Sequence, residues 1–179
     1  LYVIQMTSPT TIPAGYATDK NTGHSYFPVY EALFGPLKHT AQTILEIGVY
    51  RGGSLALWHD YFTKATIYGV DVKNKIRVPG VEHNDRIVLL WHDAYSKPFV
   101  DKSFSDNNIR FDVIIDDGPH TLLSMKQAIE LYLNLLTDNG VFVIEDVQDI
   151  EWIDELTLAT PERFRSAIKI FDRRDIKQR

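Results

Sequence analysis

Three short runs gather the residues whose types and spacing suit chemistry: Glu46-Ile-Gly48-Val-Tyr50-Arg-Gly52-Gly53-Ser54, Asp116-Asp117-Gly118-Pro-His120, and Glu145-Asp146. If Asp117, Glu145 and Asp146 converge, their charges repel and raise one or more pKa values unless a cation sits among them. No thiolate competes for that ion, because the chain has no cysteine. Oxygen donors select a hard ion, and Mg²⁺ fits best because it keeps waters that substrate hydroxyls can replace. A local reading also stands, with Asp116-Asp117-Gly118 as a turn and Glu145-Asp146 capping a following helix at its positive end. His120 comes three residues after Asp117, near the start of a long helical pattern.

The elements that must position these residues alternate strand and helix. Apolar runs at 43–47, 66–70, 86–91, 111–115 and 141–144 read as strands, and 166–171 as a sixth. Residues 30–37 read as a helix stopped by Gly35-Pro36, and 54–62 as one with Leu55, Trp58 and Phe62 on one face. Leu122, Met125, Ile129, Tyr132, Leu133 and Leu136 keep helical spacing until Asp138-Asn139-Gly140 ends it. Strands separated by helices predict right-handed βαβ units in a doubly wound, mostly parallel α/β sheet covered on both faces. Ligands of such sheets bind at the carboxyl ends of the strands, near the switch in strand order. The first five strands each run into acid or glycine.

The glycine turn narrows the cofactor. A dinucleotide fingerprint begun at Gly48 requires glycine at position 50, where a pyrophosphate approaches the backbone, and this chain has Tyr50. That disfavours a nicotinamide-dependent oxidoreductase. A nucleoside without pyrophosphate still fits. Asp71 ends the second strand, 23 residues after Gly48, where a carboxylate accepts hydrogen bonds from ribose hydroxyls. Asp93, after the third strand, is placed to receive an adenine amino group. A glycine turn followed by acids ending the next two strands points to S-adenosylmethionine and a Rossmann-like fold.

Residues 45–54, 116–120 and 143–146 together resemble the metal-dependent O-methyltransferases that act on macrolide sugars, of the mycinamicin and macrocin type, and the cephalosporin-hydroxylase-like group. The segment Thr18-Asp19-Lys20…His24-Ser25-Tyr26…Tyr30 is similar to what precedes the fold in those proteins. The resemblance implies a class I methyltransferase that moves the sulfonium methyl of S-adenosylmethionine to a hydroxyl of a sugar or glycosylated small molecule. It implies Mg²⁺ on Asp117, Glu145 and Asp146, gripping a vicinal diol, and His120 as the general base. Glu46, Gly48 and Asp116 would hold the methionine end, Asp71 the ribose and Asp93 the adenine, with Tyr50 and Ser54 completing the cofactor set. His24 lies in a segment expected to fold over the cofactor. Trp152 either lines an acceptor pocket or covers the sheet.

Composition bounds these readings. Acidic residues outnumber basic ones, 24 to 19, for a net charge of −5, which argues against a nucleic-acid partner. Apolar content of 44% and charged content of 24% are those of a soluble globular protein. No apolar run approaches the roughly 20 residues of a membrane span, and a cysteine-free chain suits a cytoplasmic setting. The expected organisation is an arm at 1–15, a covering segment at 16–40 and a methyltransferase domain at 41–179. The chain starts at Leu1, and 172–179 is too charged for a seventh strand. Both features suggest a piece of a longer chain with further domains. A non-catalytic S-adenosylmethionine-binding domain is the other reading these features allow.

Overall fold

The computed structural model describes Tyr16 and residues 18–22 and 26–173; the arm at 1–15, His24 and residues 174–179 lie outside the described residues. Five parallel strands form one sheet in the order β3-β2-β1-β4-β5. They are β1 (Thr43–Ile47), β2 (Thr66–Asp71), β3 (Ile87–Trp91), β4 (Phe111–Asp116) and β5 (Leu136–Ile144). The chain turns back between β1 and β4, which opens a crevice at their carboxyl ends. The central strands read as unbroken apolar runs because both their faces are covered: Ile44, Leu45, Val113, Ile114 and Ile115 are fully buried.

Helices α1 (Asp19–Thr22) and α2 (Phe27–Phe34) precede the sheet. Helix α3 (Gly53–Tyr61) follows β1 and buries Leu55 and Trp58 against it, with Phe62 just beyond its end. Tyr30 stacks on Phe34 at 5.4 Å, and the Trp58 ring meets both edge-on. That aromatic set fastens α2 to α3, and with it the segment that reaches the site. On the opposite face Phe104 packs among Tyr68, Phe111 and Tyr132, beneath the short helix α4 (Lys97–Val100). Helix α5 (Leu122–Tyr132) starts in a capping box, in which Thr121 and Ser124 satisfy each other's backbone N–H groups. Helices α6 (Trp152–Ala159) and α7 (Glu162–Arg165) close the described chain, and Trp152 packs with Met125, Ile129 and Leu156.

Three boundaries differ from the sequence expectation. The helix expected from residue 30 starts at Phe27, because Pro28 needs no hydrogen-bond partner in a first turn. The last strand starts at Leu136, which pairs with Phe111; the turn residues Asp138-Asn139-Gly140 then bulge out before Val141 pairs with Val113. The sixth strand expected at 166–171 does not form. Ala167 and Ile168 instead close turns onto Phe164 and Arg165, and Ile170 and Phe171 are left 57% and 46% exposed. Among the described residues no helix is long and apolar enough to cross a membrane.

Candidate active site

The turn after β1 is built by its glycine. Gly48 has φ +85°, and a Cβ there would sit 2.1 Å from the carbonyl oxygen of Asp117. The loops after β1 and β4 therefore touch through backbone alone. Asp71, at the end of β2, accepts hydrogen bonds from the N–H groups of Val49 and Tyr50 at 3.2 and 3.1 Å on one oxygen, and from Lys73 N–H at 3.2 Å on the other. This carboxylate holds the turn in shape and lies beside it. Tyr50 is 57% exposed, with Arg51 over its ring. Asp93 is exposed and accepts the Tyr95 N–H at 2.9 Å, a local turn at the far side of the sheet.

Glu46 is fully buried, and Ser54 Oγ donates to its Oε2 at 2.7 Å. Burial pushes its carboxyl up to about 7, against the pull of Lys20. Its Oε1 has no hydrogen bond among the described residues and lies 3.6 Å from the Lys20 ammonium. Asp116 is buried, takes the Tyr95 hydroxyl at 2.6 Å and is raised to about 6 by burial despite that bond.

Beyond β4 and β5 a second cluster forms. One oxygen of Asp117, one oxygen of Asp146 and a ring nitrogen of His120 lie within 4.8 Å of one another. The His120 Nε2 is 3.7 Å from Asp117 Oδ1 and 4.0 Å from Asp146 Oδ2, and the side chain is 29% exposed. Its Nδ1 is buried without a hydrogen bond among the described residues. Tyr50, His120 and Asp146 all adopt positive φ, at 43°, 54° and 53°. Three of the four non-glycine residues so twisted among the described residues thus sit on the loops after β1, β4 and β5. Each such conformation costs on the order of 1–3 kcal/mol and persists where the surrounding structure enforces it.

Glu145 stands apart from that trio. Its Oε2 accepts from Lys20 Nζ at 2.7 Å and its Oε1 accepts from the Tyr30 hydroxyl. Lys20 Nζ also donates to Asp117 Oδ2 at 2.7 Å and lies 3.6 Å from Glu46 Oε1. Burial works against the charge on Lys20, but Glu145, Glu46 and Asp117 outweigh it and keep the ammonium protonated. Burial raises the Asp117 and Glu145 carboxyls, and Lys20 opposes both shifts. Tyr26 donates its hydroxyl to Asp146. Burial and the adjoining acids hold the Tyr26 and Tyr30 phenols neutral, as donors.

The structure thus brings Asp117, His120 and Asp146 together, with Glu145 and Asp116 beside them; Glu46 shares the Lys20 ammonium with Asp117 and Glu145, and Gly48, Ser54 and Asp71 belong to the adjoining turn. Sequence reasoning gave no role to Lys20, Tyr26, Tyr30 or Tyr95. A signal for two of them was there: Tyr26 and Tyr30 are four residues apart, one helical turn. Nothing comparable marks Lys20, whose partners lie 97 and 125 residues away.

No family model matches the chain. Over 144 residues it is 32% identical to the 8-demethyl-8-alpha-L-rhamnosyl tetracenomycin-C 2'-O-methyltransferase of Streptomyces olivaceus, covering 76% of this chain and 37% of that protein. It is 29% identical to the mycinamicin VI 2''-O-methyltransferase of Micromonospora griseorubida, over 72% of this chain and 33% of that one. The chain spans about a third of the length of these curated relatives. Among solved structures it matches the MycE methyltransferase of the mycinamycin biosynthetic pathway, in complex with Mg, SAH and mycinamycin VI. The TM-score is 0.66 at 30% identity, over 78% of this chain and 37% of that one. The fold is that of the Rossmann-like methyltransferases, and the chain resembles the sugar O-methyltransferases in sequence as well.

Proposed function

We propose that this chain carries the catalytic domain of an S-adenosylmethionine- and Mg²⁺-dependent O-methyltransferase acting on a hydroxyl of a sugar-bearing small molecule in the cytoplasm. The observation that carries this reading is the gathering of Asp117, His120 and Asp146 at the carboxyl edge of the sheet, next to the Gly48 turn. The donor chemistry fits a hard divalent ion: two carboxylate oxygens with an imidazole beside them and no sulfur. The adjoining turn suits a cofactor's amino-acid tail, because Gly48 puts no side chain where the turn meets Asp117 and Asp71 stands beside it.

When bound, S-adenosylmethionine supplies an electrophilic methyl, and Mg²⁺ lowers the cost of ionising an acceptor hydroxyl. The chain's own residues do the rest. Asp117 and Asp146 would hold the ion, with Glu145 the third acid beside them. His120 Nε2 lies 3.7 Å from Asp117 and 4.0 Å from Asp146 and would take the acceptor proton. Asp71 would orient the ribose, Asp93 the adenine, and Glu46, Gly48 and Asp116 the methionine end, with Tyr50 and Ser54 on the same turn. Residues 16–40 would cover the crevice, since Lys20, Tyr26 and Tyr30 all reach its acids. The name of one relative supports a sugar acceptor through its rhamnosyl 2'-O position.

Radiolabelled methyl transfer to a panel of vicinal-diol glycosides tests the reading. EDTA should abolish transfer, and His120→Ala should lower kcat by about 10²–10⁴, the usual worth of a positioned base. Calorimetry should find cofactor affinity retained in His120→Ala and weakened in Asp71→Ala. Transfer that survives both EDTA and His120→Ala undiminished rejects the mechanism. Cofactor binding with no transfer to any diol favours a non-catalytic binding domain.

A further inference from the structure

In the sheet β3 and β4 are separated by β2 and β1, so no backbone ladder links the loops that follow them. Two tyrosines link them instead. Tyr132, at the end of α5, donates its buried hydroxyl to the Ala94 carbonyl at 2.7 Å. Tyr95 donates its hydroxyl to Asp116 Oδ1 at 2.6 Å, while its own N–H goes to Asp93 Oδ1 at 2.9 Å. The same hydroxyl lies against Gly118, where a Cβ would overlap it. Glycine at 118 is what lets the phenol reach the acid. Burial, and after it the Asp116 charge, pushes the Tyr95 phenol far above its ordinary range, so it stays a donor. The stretch braced in this way carries His120. At one end the Asp117 N–H is fixed on the Ile47 carbonyl at 2.9 Å, and at the other the Thr121–Ser124 capping box fixes the start of α5. Between them lie Gly118, Pro119 and His120, the last at φ 54°. A residue so twisted persists where its surroundings enforce it, and Tyr95 meets the middle of the stretch from the loop that holds Asp93.

We infer that Tyr95 is a positioning residue: its hydroxyl braces Asp116 and Gly118, and thereby joins the loop expected to read the adenine to the loop that carries His120. The inference rests on the cofactor reading above and deepens it. A cofactor that orders residues 93–96 then stiffens 118–121 as well, although two strands lie between the parent strands of these loops. Removing the hydroxyl alone leaves the ring in its place and cuts the link.

Hydrogen exchange on the full chain, with and without S-adenosylhomocysteine, tests this. In the unaltered protein the ligand should slow exchange at the amides of Gly118, His120 and Thr121 by about fivefold or more. Tyr95→Phe should still bind it, within about threefold by calorimetry, and keep the protection gained at 93–96. Its protection gain at 118–121 should fall below about twofold. Its kcat for methyl transfer should drop about tenfold with the cofactor KM nearly unchanged, a split that a merely structural role would not produce. Gly118→Ala, which pushes the hydroxyl off Asp116, should give the same pattern, and the double variant should be no worse than either single one. If Tyr95→Phe keeps both its kcat and the ligand-induced protection at 118–121, the inference alone is overturned. It is also overturned alone if Tyr95→Phe loses protection equally in both loops. The expected exchange pattern without methyl transfer to any acceptor supports the inference and overturns the transferase reading. Failure of the unaltered protein to bind S-adenosylhomocysteine overturns the cofactor reading and this inference with it.

Discussion

The two halves of the sheet use the same side chain differently. On the β2–β3 half, Asp71 and Asp93 accept from four backbone N–H groups: two from the adjoining loop after β1 and two from residues two positions beyond the acid. On the β4–β5 half, Asp117, Glu145 and Asp146 accept from side chains 97 to 125 residues away: Lys20 on α1, Tyr30 on α2 and Tyr26 just before α2. The first kind of acid shapes a loop and stays near solvent. The second kind is drawn into the interior, where burial raises the Asp117 and Glu145 carboxyls and a lysine restrains them. Such desolvated carboxylates are costly to ionise unless a cation stands beside them.

Gly48 joins the two halves, and Gly48→Ala should have the largest effect on stability. Its added methyl would overlap the Asp117 carbonyl oxygen at 2.1 Å, and its φ of +85° disfavours any side chain. Strain of about 1–3 kcal/mol from the backbone and a similar amount from overpacking should add. We expect a loss of about 2–5 kcal/mol in urea denaturation, with the His120 region losing hydrogen-exchange protection along with the Gly48 turn. A loss confined to the β1 turn would show that the halves fold without reference to each other.

Acidity offers a middle-sized test. Glu46 titrates near 4.5 when unfolded and is pushed up to about 7 by burial in the folded state. The native state therefore binds more protons between these values, and stability falls as pH rises from about 4.5 to 7. The shift corresponds to roughly 3 kcal/mol at most. The raised Glu145 carboxyl acts in the same direction, whereas the raised Lys20 ammonium changes nothing until pH exceeds its unfolded value of 10.5. The ligand-free protein should thus be more stable toward urea at pH 5.5 than at pH 8, and Glu46→Gln should flatten that slope by about one proton. A stability that rises over this window would mean that the inner acids are not desolvated as the fold requires.

The same contrast explains what was legible in the sequence. The five strands, the glycine turn and the acids that follow the strands could be placed because hydrophobic runs and turn residues act locally. The segment 166–171 had the composition of a strand, but composition cannot supply an edge with a partner in register; its apolar side chains remain exposed. The roles of Asp117, Glu145 and Asp146 could be approached through their neighbours in sequence. The division of their oxygens could not, because it depends on Lys20 and two tyrosines brought over by the aromatic packing of Tyr30, Phe34 and Trp58. Packing between distant elements, not local pattern, decides which acid meets which cation.

The smallest expected effect belongs to Asp93, where the comparison is most exposed to failure. Its carboxylate is at the surface and accepts one backbone N–H, from Tyr95 at 2.9 Å, a bond worth about 0.5–1 kcal/mol net. Asp93→Ala should therefore lower the thermal midpoint by only a few degrees. If Asp93 also receives the adenine amino group, losing that bond should weaken S-adenosylmethionine about fivefold by calorimetry, the equivalent of about 1 kcal/mol. An unchanged affinity together with a lowered midpoint would make Asp93 a turn residue only. The β2–β3 half would then touch the cofactor through Asp71 alone, and the adenine would have to be read by backbone and apolar contacts after β3.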